Sequence, residues 1–277
     1  MREFRKKQRQ IKRIMNVIVI ATAILLLALI GTENYIVEAL GKSAALTVHY
    51  ISEVMVIASL AIVMYYYSKY GKSDAFLTNV EHELSDCGYY RTKRTETTVD
   101  SYYKAVREDL IGGAFAISEN LELTELDFAL RGIKRGEIFY AVNIDDLDKN
   151  DVVAHLDSVV YDLTAVLLRR TGNAVLLFIC DKADEGAISL SKSITSMGKK
   201  DRIKVAMAIA EVSSGRVYFL GNNPTKCQQM IATYVMNTEV PIEDSLKGER
   251  LPFQDELEEH MKNFDLNEYR RGNFFSH

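Results

Sequence analysis

The residues best placed to do chemistry are four carboxylates, Asp145, Asp146, Asp181 and Glu211, because they close three apolar runs that read as buried strands. In an open α/β sheet the ligand crevice lies at the carboxyl ends of the strands, so these four fall on one rim. Clustered carboxylates there could hold Mg²⁺ and, through it, a phosphate, or share protons as acid and base. The plainer reading is a solvated acidic rim, since an aspartate that follows a strand commonly caps the next helix. On that reading no resident metal is expected and the cofactor is unknown.

The run DDLDKNDVVAHLD places Asp146, Asp148, Asn150 and Asp157 at the first, third, fifth and twelfth positions of a calcium loop. Its sixth position is Asp151 where the loop needs glycine, its twelfth is Asp rather than Glu, and a strand precedes it. Asn150 or Asp148 as a helix N-cap explains the same letters. The sequence contains no GxGxxG, GxxxxGK[ST], HExxH or GxSxG motif. Its three cysteines, Cys87, Cys180 and Cys227, are far apart, which excludes a disulfide framework or paired-cysteine zinc site and fits a reducing compartment. Cys180 lies inside an apolar strand and reads as an inert core residue.

A second candidate is the pair His49 and Glu53, four residues apart and so on one helical face. An ionisable pair inside a membrane is a functional hypothesis by default. Counting back from Tyr67 puts His49 near the far headgroups, and the preferred reading is that both side chains reach water there.

The elements that must carry these residues begin with a membrane hairpin. Ile14 to Ile30 holds no charged residue and is long enough, at about 1.5 Å per residue, to cross most of a hydrocarbon core of roughly 30 Å. A second apolar run, Ala44 to Ser68, ends in Tyr65, Tyr66 and Tyr67 beside Lys69 and Lys72, an interfacial anchor. The expected helices span about 14–31 and 46–68 within a hairpin over 14–70. Residues 1–13 carry seven basic side chains against Glu3, a net +6, whereas the connector GTENYIVEALGKS holds one lysine and two glutamates. Positive charge stays inside, so both termini are expected on the cytoplasmic side of the cell membrane.

With the formal charge of the 277 residues at -4, the rest of the chain is near -10, which gives no support for nucleic-acid binding. Residues 73–237 are expected to form a cytosolic α/β domain, with 238–277 as an acidic tail that has one short helix near 255–264 and is loosely attached if at all. Periodicity predicts a helix over 73–88 capped by Ser73, helices over 101–111 and 121–133, and a short strand at AFAIS. The runs 138–144, 174–180 and 204–210 alternate with helices over 151–170 and 183–197, which predicts a mainly parallel sheet covered on both faces. A strand after Ser213-Ser214-Gly215 should form an antiparallel edge, and a last core helix should start at Asn222 with Pro224 in its first turn.

Three functions fit. The first is a membrane-anchored binding or interaction module that takes a small ligand or a membrane or cytosolic protein partner. The second is a membrane-tethered, metal-dependent enzyme acting on a phosphate-containing substrate. The third is a small transmembrane subunit of a larger complex, and a homo-oligomer is among the arrangements the hairpin allows.

Overall fold

The computed structural model describes residues 2–165, 172–197, 203–222 and 225–262. The chain divides into two compact units, one built on Met1–Thr78 and the other on Asn79–Glu259.

The first unit is a helical hairpin made by α1 (Arg2–Gly31), α2 (Glu33–Leu40) and α3 (Lys42–Ser85), with α3 running on past the unit boundary. On α1 the covered positions include Arg5, Gln8, Lys12, Met15, Val19, Thr22, Leu26 and Leu29. On α3 they include Ala45, His49, Ser52, Val56, Ser59, Val63, Tyr66, Tyr70, Ser73 and Leu77. Both sets advance by alternating steps of three and four, the seam of an antiparallel coiled coil. The hairpin is inside out for a protein in water: Thr22 and Ser59 meet across the seam at 3.3 Å, while Ile24, Leu27, Val54 and Ile57 are 60–67% exposed. Both helices are long and apolar enough to cross a membrane, over Arg5–Gly31 and Lys42–Gly71.

The connector folds as α2, ended by Gly41 at φ 82°. One expectation fails here. No helix starts at Ser73, because α3 is continuous and Ser73 is a buried seam residue within it. Gly71 lies inside this helix without ending it, as tertiary packing along a seam allows.

In the second unit, β1 (Tyr90–Arg91) and α4 (Val99–Gly112) precede a hairpin of β2 (Ala116–Leu123) and β3 (Leu126–Lys134). There follow β4 (Glu137–Asn143), β5 (Asp146–Leu147), α5 (Lys149–Ala165), β6 (Gly172–Cys180), β7 (Lys182–Ala183) and α6 (Glu185–Ser191). The unit continues with β8 (Ile194–Met197), β9 (Ile203–Glu211), β10 (Arg216–Tyr218), α7 (Lys226–Met230), a π-turn over Ile231–Val235 and α8 (Pro252–Lys262). The sheet order is β1-β10-β9-β6-β4-β3-β2, with β8 also on β9.

The three central strands pair in parallel, Leu177 lying beside Ala141 and Ala208. Their side chains alternate between two cores. Phe139, Val175, Leu177 and Ala208 pack with α4 and α7, while Tyr140, Leu176, Phe178 and Met207 pack with α5 and α6. Burial on both faces is why these runs are continuously apolar.

The sheet as a whole is mixed rather than mainly parallel, since every pairing outside the β4–β6–β9 centre is antiparallel. The helix expected over 121–133 is instead the β2–β3 hairpin. Thr124 and Glu125 take φ 49° and 67° in its tight turn, and along β3 Phe128 and Leu130 are buried between less buried neighbours, a period of two. The helix expected over 183–197 shrinks to α6, after which Ile194–Met197 pairs with β9. The edge strand after Gly215 is antiparallel as expected, although Tyr90–Arg91 covers it. The last core helix begins at Lys226, where Gln228 accepts from the Thr225 backbone N–H at 2.6 Å. Pro224, residues 166–170 and residues 263–264 lie outside the described residues. Over its described residues, 238–262, the tail is tied to the unit: the Gly248 N–H donates to the Tyr89 carbonyl at 2.8 Å, and Gln254 is fully buried.

Candidate functional site

The strand-end rim is built by two similar crossings. After β4, the chain runs Asp145-Asp146-Leu147-Asp148 into α5; after β6, it runs Asp181-Lys182-Ala183-Asp184 into α6. The short strands β5 and β7 pair in parallel, Asp146 beside Lys182, and the Asp145 carbonyl accepts the N–H groups of Asp181 and Lys182 at 3.0 and 3.1 Å. The last aspartate of each crossing is a cap: Asp148 Oδ1 accepts from the Asp151 N–H at 2.8 Å and Asp184 Oδ1 from the Ala187 N–H at 2.5 Å. The Asp151 N–H holds the Asp148 carboxyl below the usual carboxylate range.

Asp145, Asp146 and Asp181 are exposed. Glu211 is partly covered; its Oε2 accepts from Tyr218 at 3.3 Å and from Ser214, and its Oε1 faces the Ala183 N–H at 3.4 Å. Glu211, Asp181 and Asp146 all act on the buried Cys180 thiol, which burial first and these charges second push up to about 12. The charges of three of the four carboxylates therefore reach one buried thiol. Among the described residues no group of three or more His, Cys, Asp or Glu is arranged to hold a metal ion.

In the hairpin, His49 sits on the seam with Nε2 buried and without a hydrogen-bond partner among the described residues, while Glu53 is exposed. The two do not form a bonded pair.

A polar centre that no motif signals lies beside the β1–β10 edge of the sheet. Lys192 and Asp86 form an ion pair at 3.0 Å with 1% of each side chain exposed. The ammonium also donates to the carbonyls of Cys87 and Phe219 at 2.8 and 3.0 Å, so all three of its protons are used. Asp86 accepts in addition from Tyr90 at 2.6 Å and the Gly221 N–H at 3.1 Å. Gly221 is required here, because a Cβ would stand 2.2 Å from the Tyr90 hydroxyl. Next to this pair, burial raises Glu83 to about 7 despite the Lys192 charge and a 3.0 Å bond from Gln254. A cavity of about 180 Å³ opens beside it, lined by Cys87, Tyr90, Asn222, Pro241 and Lys247 among others. Sequence reasoning missed this centre because its members come from four separate segments and Lys192 lies in a stretch that reads as an ordinary amphipathic helix.

The chain matches no family model and no curated protein sequence.

Proposed function

We propose that the chain is a membrane-anchored α/β binding or interaction module, held at the cell membrane by its two-helix hairpin with both termini cytoplasmic. The observation that carries this reading is the contrast between the hairpin and the rim. The hairpin turns its apolar side chains outward and its Thr22–Ser59 contact inward, the arrangement that lipid favours. The rim leaves Asp145, Asp146 and Asp181 in solvent and commits Glu211 to Ser214 and Tyr218, an acidic surface suited to a cationic or neutral partner.

The second reading, a metal-dependent enzyme acting on a phosphate-containing substrate, draws on the shared action of Asp146, Asp181 and Glu211 on Cys180. Mg²⁺ and Mn²⁺ decide between them. A cation held by these carboxylates would relieve their repulsion and raise the melting temperature by several degrees, an effect lost in Asp146→Asn/Asp181→Asn. The binding-module reading expects no metal-dependent shift and a near-neutral double variant. A shift that the double variant abolishes would put the enzyme first.

A further inference from the structure

The basic N-terminal segment does two different jobs. Arg5 and Lys12 face the seam of the hairpin and converge on one carboxylate: Arg5 donates to Asp74 Oδ1 at 2.7 Å and to the Thr78 hydroxyl at 2.8 Å, and Lys12 pairs with Asp74 Oδ2. Arg5 is 5% exposed. These contacts carry α1 as a paired helix beyond the start of its apolar run at Ile14.

Lys6, Lys7 and Arg13 are exposed, and no carboxylate among the described residues pairs with them. Lys6 and Arg13, seven residues apart, lie on the side of α1 away from the seam, and Lys7 flanks them. From Lys6 to Arg13 the helix rises about 10 Å, which reaches from the edge of the hydrocarbon through the headgroup layer. The matching level of α3 carries the Tyr65–Lys69–Tyr70 cluster, with the lysine ammonium 5.6 Å from each ring centre. The surface at headgroup depth is therefore positive, with aromatic rings beside it.

We propose that Lys6, Lys7 and Arg13 form a docking surface for anionic phospholipid headgroups, while Arg5 and Lys12 are structural and take no part in lipid selection. The inference rests on the membrane-anchored reading. Charge complementarity selects the occupant, because anionic lipids in the cytoplasmic leaflet attract juxtamembrane Lys and Arg.

The test reconstitutes the full chain in vesicles of phosphatidylcholine and phosphatidylglycerol and measures the association of each spin-labelled lipid with the protein. Phosphatidylglycerol should be favoured about 5-fold or more at low salt, with the preference falling as salt rises. Lys6→Gln/Lys7→Gln/Arg13→Gln should bring the two lipids near parity, and Arg13→Gln alone should remove part of the preference. Lys12→Gln should lower the melting temperature and leave the preference intact. Soluble glycerol phosphate should not displace the labelled lipid; displacement would make this a free-phosphate site and overturn the proposal. Equal association of both lipids, or equal loss in Lys12→Gln and the triple variant, would overturn it while leaving the anchor in place. Recovery of the wild-type chain in the soluble fraction after alkaline extraction would overturn the membrane reading and this inference together.

Discussion

The Lys192–Asp86 pair is where a single residue carries most consequence. A buried ion pair adds little over a well-packed apolar pair, yet removing one partner strands a charge out of water. Lys192→Met leaves Asp86 with Tyr90 and the Gly221 N–H alone and deprives two carbonyls of their donor. Chemical denaturation should register a loss of about 3–5 kcal/mol; a loss under about 1 kcal/mol would mean the site is wet and the pair incidental. Glu83 yields a pH signature with a definite sign. Its folded value near 7 lies above the ordinary 4.5, so the folded chain holds the proton more tightly than the unfolded chain. Stability from this group is therefore complete at low pH and declines as pH rises from about 4.5 to about 7. Glu83→Gln keeps an oxygen for Gln254 and removes the charge. Thermal melts of the variant should lose this decline and show a higher melting temperature than wild type at pH values above 7, whereas a variant less stable there would contradict a buried, protonated Glu83.

At the scale of elements, the parallel strands were legible because a strand buried on both faces has no choice but to be apolar throughout, as 138–144, 174–180 and 204–210 are. The β2–β3 hairpin was not, because Leu123, Leu126 and Leu130 fall at intervals of three and four and counterfeit a helical face. What decides the matter is the turn, where Thr124 and Glu125 accept left-handed backbone that neither residue prefers. Residues 194–197 were misread for a related reason: one β-branched pair, Ile194-Thr195, reveals a strand only once β9 is there to receive it. The strand-end positions of the carboxylates were legible residue by residue, and so was Asp148 as a cap, because a cap bonds only three residues ahead; the ties on Glu211 depend on tertiary neighbours. Glu125→Gly separates the two structures for 121–133. In a helix interior the glycine would cost about 1 kcal/mol, but at φ 67° it removes strain and should leave stability unchanged or raise it by up to about 1 kcal/mol in urea titrations.

At the scale of the whole molecule the prediction is one of sidedness. The basic flank of α1 and the lysines after the tyrosine cluster put positive charge at the same end of the hairpin, and the α1–α3 contacts bring that end together through Asp74. Positive charge is retained in the cytosol, so the connector that holds α2 should emerge on the far side. Single cysteines at Asn34, exposed on α2, and at Lys149, exposed at the start of α5, report the two sides. The native thiols interfere little: burial pushes Cys180 and Cys227 up to about 12 and about 11, which keeps them protonated and unreactive. Only the half-buried Cys87 needs replacement by serine. A membrane-impermeant maleimide added to intact cells should then modify Asn34→Cys and spare Lys149→Cys until the membrane is opened. Modification of Lys149→Cys from outside would reverse the orientation, and with it the assignment of the acidic rim to the cytosol. Protection of both positions in intact cells would mean that the hairpin does not pass through the bilayer at all, leaving its outward-facing isoleucines and leucines to be covered by something other than lipid.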